Sequence, residues 1–140
     1  MSQPTMREFA LLQTAVLLRR LAFEVNRAAK NGDQVAVHDL RVAIRRFSRS
    51  LRVFAQFYPA GRWKKIRCQL ADWMAAAGGV RDRDIALQLL AEAGVPREAA
   101  MAVRLEDERR RAGEELLREL RRFRTHNLSR KWRDRLDLKP

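Results

Sequence analysis

From Val37 to Arg52 the chain reads Val-His-Asp-Leu-Arg-Val-Ala-Ile-Arg-Arg-Phe-Ser-Arg-Ser-Leu-Arg, and the spacing of its basic residues is the feature that could do chemistry. Wound as an α-helix at about 100° per residue, His38, Arg41, Arg45, Arg49 and Arg52 fall within an arc of roughly 80°, along a line about 21 Å long. Arg46 lies at the border of this stripe. Leu40, Ile44, Phe47, Leu51, Phe54 and Tyr58 fall on the opposite side and read as core. Like charges at i and i+4 repel one another, and no acid lies on the stripe to relieve them; Asp39 points elsewhere. A solvated helix face normally mixes signs, so an unrelieved arginine ladder calls for an anion from outside, and a linear ladder suits a linear polyanion. A plain solvated surface is the alternative. His38 taken alone is an ordinary structural histidine, and its place on the arginine stripe is what makes it a candidate.

The composition agrees with an anionic partner. The chain has 140 residues, 30 Lys and Arg against 17 Asp and Glu, and a formal net charge of +13. Twenty-five of those cations are Arg and five are Lys. Guanidinium is a planar fork that bonds phosphate oxygens in pairs, whereas a merely solvated surface would do as well with Lys; a genome rich in Arg codons would produce the same bias. The charge is spread along the chain rather than gathered in a basic tail, so it belongs to the fold itself. The usual partners of such a charge are nucleic acid, anionic lipid or another polyanion.

Other chemistries find little support. The single cysteine, Cys68, excludes an internal disulfide and a cysteine metal cluster. His38, His126 and Cys68 do not stand at metal-ligand spacing from one another. No nucleophile–base set, paired catalytic carboxylates or phosphate-binding glycine loop is evident, so the expectation is a protein that is not an enzyme and that carries no cofactor and no metal. Trp63, Trp73 and Trp132 do not interleave with the arginine stripe, so no base-stacking platform is indicated. Glu106-Asp107-Glu108 followed by Arg109-Arg110-Arg111 reads as a salt-bridged, solvated helix face. Residues Met1 to Arg7 lack the pattern of a secretory signal, and the longest apolar stretch, Phe9 to Leu18, is too short to span a bilayer. A cytoplasmic protein without a membrane partner is expected.

The elements that must position the stripe are all helical. Between breakers the residues are Ala, Leu, Arg and Glu at helical spacing, with no strand alternation. Asn31-Gly32 offers a left-handed stop and Asp33 an N-cap. Pro59-Ala60-Gly61, Gly78-Gly79, Gly94-Val95-Pro96 and Asn127 with Ser129 mark further breaks. Helices are predicted at about 5–30, 34–58, 62–77, 82–93, 97–124 and 129–136, forming a single domain, an all-α antiparallel helical bundle. Trp63, Ile66, Leu70, Trp73, Met74 and Ala77 form one apolar face. The first helix has two, Phe9, Leu12, Val16 and Phe23 on one side and Leu11, Leu18, Ala22 and Val25 on the other. A helix apolar on two sides is central in its bundle or lies between its own core and a second subunit.

The order His38-x-x-Arg41-Val42-x-x-Arg45-Arg46, then Leu51-Arg52-x-Phe54, then Gly78-x-x-Arg81-Asp82-x-Asp84, resembles the CHAD family, named for a conserved histidine α-helical domain. The resemblance runs from about Leu11 to the tail. It implies an all-helical fold, no enzymatic activity, and binding of inorganic polyphosphate in a basic cavity, a ligand that phosphate or sulfate would mimic. A polyphosphate binder in the cytoplasm could associate with polyphosphate granules. The positions the resemblance carries over are His38, Arg41, Arg45, Arg46 and Arg52, with Arg81 and Asp82 from the second block; Arg49 joins them from the stripe. Asp82 would orient a nearby arginine toward the ligand, whereas its residue type alone reads as a helix cap. Family members usually hold two similar halves, and this chain carries one such block. It is therefore a fragment, or two copies assemble as a homodimer to rebuild the cavity. A helical nucleic-acid binder is the alternative function, since phosphate ladders are not exclusive to polyphosphate.

Overall fold

The computed structural model describes residues 3–138. It contains five α-helices: α1 Met6–Lys30, α2 Gln34–Val53, α3 Arg62–Glu92, α4 Ala100–Thr125 and α5 Leu128–Arg135, with a short 3₁₀ turn at Ala55–Phe57. The all-α bundle expected from the sequence is what forms. Short connections turn the chain back after each long helix, so that α1 packs on α2, α2 on α3 and α3 on α4, while contacts between α1 and α4 close the ring. The short α5 lies against α4, α1 and α3. Among the described residues no helix is long and apolar enough to cross a membrane.

Local chemistry sets several of the helix ends. Thr5 caps α1 in a reciprocal box, its hydroxyl accepting from Glu8 N–H at 3.1 Å while the Glu8 carboxylate accepts from Thr5 N–H at 3.3 Å. Asp33 caps α2 as expected, accepting from Ala36 N–H at 2.8 Å. The stop before it is not left-handed, because Asn31 ends α1 in an extended conformation at φ −149°. Gly94 ends α3 at φ +80°, its N–H donating to the Ala91 carbonyl and the Val95 N–H to Leu90. That closure needs a left-handed residue, which glycine adopts without strain.

The largest departure from the sequence expectation lies in α3. A break at Gly78-Gly79 was expected, with separate helices at 62–77 and 82–93; the structure runs one helix of 31 residues straight through. Each glycine costs a helix only about 1 kcal/mol relative to alanine. On either side of the pair, Trp73, Ala77 and Val80 are fully buried on one face. Burying such side chains gains roughly 1.5–3 kcal/mol for each large one, which outweighs the glycine penalty. A second correction follows: Asp82 sits inside α3 and caps nothing.

The core gathers around four aromatic rings. Trp132 of α5 stacks on Phe47 of α2 at 6.0 Å between centroids, meets Trp73 of α3 at 5.5 Å and meets Phe123 of α4 edge-on at 5.6 Å. The expected core face of α2 is buried at Leu40, Ile44, Phe47, Leu51 and Tyr58, with Phe54 packed at its edge. On α1 the two expected stripes separate. Leu18 and Val25 are buried and Leu11 and Ala22 partly so, whereas Phe9, Leu12, Val16 and Phe23 are exposed, Leu12 at 62%.

A buried polar chain fastens the far end of α2. The Tyr58 hydroxyl lies 2.6 Å from the Thr14 hydroxyl of α1 and donates to the Ser50 carbonyl at 3.3 Å. The Thr14 hydroxyl lies 2.8 Å from the Ala10 carbonyl, and Ser50 donates to the Phe47 carbonyl. Burial pushes the Tyr58 phenol above its ordinary value of 10.0, against the opposing pull of its hydrogen bonds to Thr14 and Ser50. The folded state therefore holds this proton more tightly than the unfolded chain. The stability it contributes is complete below about pH 10 and is lost as pH rises through the folded value. Because Tyr58 is the single tyrosine, phenolate absorbance of the native chain should titrate at higher pH than in denaturant. Tyr58→Phe should flatten the alkaline fall in stability while costing about 0.5–1.5 kcal/mol at neutral pH, read by chemical denaturation.

Candidate anion-binding site

Burial of Phe47, Leu40, Ile44 and Leu51 fixes how α2 is rolled, and so turns the opposite face outward. His38, Arg45, Arg46, Arg49 and Arg52 are exposed along it, and Arg41 is half-buried with its Nε shielded and without a hydrogen-bond partner. Among the described residues none of these five arginines takes part in an ion pair. Asp39, the nearest acid in sequence, is turned to α1, where Arg27 donates to it at 2.7 Å. The contrast with α4 is direct. There Arg111 and Arg110 pair with Asp107, and Arg110 also pairs with Glu114 at 3.3 Å. The hydrogen bond from Arg110 to Asp107 raises the guanidinium pKa above its ordinary value.

The ridge of α2 parts the expected site residues between two grooves. On the α3 side, a cavity of about 290 Å³ is lined by Arg45, Arg49, Arg52 and Ser48 of α2 and by Arg67 of α3, over a floor that includes Ile44, Leu70 and Met74. On the α1 side, a cavity of about 300 Å³ is lined by His38 and Arg46 together with Arg20, Glu24 and Asp39. A wider cavity, about 650 Å³ between α3 and α4, carries Asp72, Glu108, Glu115 and Glu119 against Arg83, Arg111 and Arg122. With acids in the majority it is a poor seat for an anion.

The second block behaves differently from the first. Arg81 is half-buried and Asp82 exposed on α3, and neither lines a cavity with the α2 ridge. Asp82 makes no ion pair among the described residues. The acid that the fold uses is Asp84. It is buried at 4% exposure and accepts from Arg109 Nε of α4 at 3.0 Å, while Arg109 Nη2 donates to the Gly32 carbonyl at 2.6 Å. This corrects the sequence reading of Arg109 as part of a solvated face; Arg110 and Arg111 do fit that reading. One guanidinium thus ties α4 to α3 and to the turn that starts α2. Periodicity on either helix alone does not reveal the pair, because its partners are 25 residues apart. Arg67 also escapes a reading of α2 by itself. The available signal is its spacing from Arg81, fourteen residues or about four helical turns, which places both on one face of α3.

A family model for the CHAD domain matches residues 14–140. The chain belongs to the CHAD family. The match takes in all of α2, α3, α4 and α5, and on α1 it begins at Thr14, the residue that bonds Tyr58. No curated protein and no solved structure matches this CHAD domain. Within it, Asp84 and Arg109 predict their own test. Arg109→Ala strands a buried carboxylate and should lower the unfolding free energy by about 3 kcal/mol in chemical denaturation. Arg110→Ala, on the exposed side of the same helix, should leave the midpoint almost where it is.

Proposed function

We propose that this CHAD domain is a non-catalytic binder of inorganic polyphosphate, using the basic ridge His38, Arg41, Arg45, Arg46, Arg49 and Arg52, with Arg81 and Asp82 of α3 as further candidates. The observation that carries the reading is the state of the ridge's arginines. Among the described residues the five on α2 pair with no acid, and what sets them apart from the chain's other unpaired arginines is their alignment along one helix face. Each repels its neighbours at i+4, and a chain of phosphates is the partner whose charge repeats along the same line. The family link to polyphosphate supports the same ligand. A rigid DNA duplex is too wide to enter a groove of this size, whereas a thin, flexible phosphate chain is narrow enough to do so.

Competition between long-chain polyphosphate and duplex DNA tests this reading. At about 150 mM salt polyphosphate should keep submicromolar affinity while DNA falls to the non-specific range of roughly 10⁻⁴–10⁻⁶ M. Arg45→Ala should weaken polyphosphate binding by about 1.5–3 kcal/mol, the range for a hydrogen bond to a charged group. Arg110→Ala should change little, and equal losses at the two positions would reduce the site to bulk charge. DNA binding as tight as polyphosphate, with equal loss on Arg41→Ala and Arg45→Ala, would replace the reading with a nucleic-acid one.

We infer further that two copies join through α1. Phe9, Leu12, Val16 and Phe23 form an exposed apolar stripe on that helix, and α1 lies next to α2. A twofold contact along the stripe would bury these side chains and bring two basic ridges to a shared cavity. Light scattering at tens of micromolar should report a dimer, and Phe9→Asp or Val16→Asp should dissociate it. A monomeric wild type removes the assembly but not the ridge.

A further inference from the structure

The two grooves beside the α2 ridge are alike in size and differ in charge, one balanced and the other basic. The α1 side sets Arg20 and Arg46 against the carboxylates of Glu24 and Asp39, two charges of each sign. Glu24 is 1% exposed and neither of its oxygens has a hydrogen-bond donor. Its nearest cation, Arg27 at 3.7 Å, is already held by Asp39. A phosphate entering there meets a desolvated carboxylate, whose repulsion is strong because little water screens it. The α3 side has four guanidiniums, from Arg45, Arg49, Arg52 and Arg67, and no acid.

We propose that the phosphate chain seats in the α2–α3 groove and that Arg67 is a direct phosphate ligand there, an assignment that rests on the polyphosphate reading above. Arg67 comes from the opposite wall to the other three, so the groove grips an anion from both sides. The Arg67 guanidinium lies over the Trp63 ring at 5.9 Å, within reach of a cation–π contact. Its Nε is shielded from water and has no partner, a donor that a phosphate oxygen would satisfy. Ser48 adds a neutral hydroxyl, and Ile44, Leu70 and Met74 give the groove an apolar floor. The lining also gives the register of the two helices, since the arginines at the end of α2 meet the one near the start of α3. Continued along α3, it brings Arg81 about 21 Å beyond Arg67, level with the His38 end of the ridge.

Titration calorimetry of the full chain with long-chain polyphosphate near physiological salt distinguishes the grooves. Arg67→Ala should weaken binding by about tenfold or more, the effect of losing a charge-assisted hydrogen bond. Arg67→Lys should fall between, since lysine keeps the charge and loses the planar fork. Arg20→Ala, across the ridge, should stay within about twofold of wild type. Thermal melts report folding, and if Arg67→Ala does not fold, Arg67→Lys decides. A wild type that binds while the folded Arg67 variants match it overturns this assignment alone, as does an Arg20→Ala loss equal to that of Arg67→Ala. A wild type that does not bind polyphosphate removes the proposed function and this seat with it.

Discussion

The packing of Trp132 against Phe47, Trp73 and Phe123 is the constraint on which the rest of the molecule depends. Four helices contribute one ring each, and every ring is buried. Aromatic rings of this size carry much of a small core's burial energy and prefer a few relative orientations. Phe47 cannot rotate away from Trp132 without opening that core, so α2 has one roll about its axis. That roll sets Arg45, Arg49 and Arg52 toward α3 and water. A short terminal helix with one buried tryptophan therefore decides which way the basic ridge faces.

Both ends of α2 are pinned as well. At its start, Asp33 caps the helix and Arg109 grips the Gly32 carbonyl while neutralising Asp84. At its finish, Tyr58 reaches back to Ser50 and across to Thr14. A buried ion pair is no sure gain over apolar packing, but breaking one is costly. Here the pair has a geometric use, because it joins three segments that backbone bonds leave separate. Between the two pins, like charges at i and i+4 raise the energy of α2 by only a few tenths of a kcal/mol each. The burial of Leu40, Ile44, Phe47 and Leu51 on the reverse face is far larger, so the unpaired ridge is tolerated.

Acids are distributed unevenly through the tertiary structure rather than along the chain. Asp107, Glu108 and Glu114 neutralise arginines on α3 and α4. Glu24 and Asp39 face the groove between α1 and α2. Of the two grooves beside the ridge, the one between α2 and α3 has a charged lining that is entirely basic. A net charge of +13 thereby becomes a local feature with a direction, which bulk composition does not provide.

The sequence by itself determined the helical class, the Asp33 cap, the buried face of α2 and the stripe of His38, Arg41, Arg45, Arg49 and Arg52. Each depends on residues within a few turns of one another, where a 3.6-residue period and side-chain capping act directly. It also carried the family resemblance, because the order of His38, Arg41, Arg45 and Arg46 is local. Only the tertiary structure decided that α3 continues through Gly78-Gly79, since the energy that overrides two glycines comes from Trp73 and Val80 packing on other helices. Only it separated Asp84 and Arg109 from the solvated charges around them, and only it divided the ridge between an acid-lined groove and an acid-free one. Those outcomes depend on which groups from distant segments share a space without water, and spacing along one helix holds no record of that.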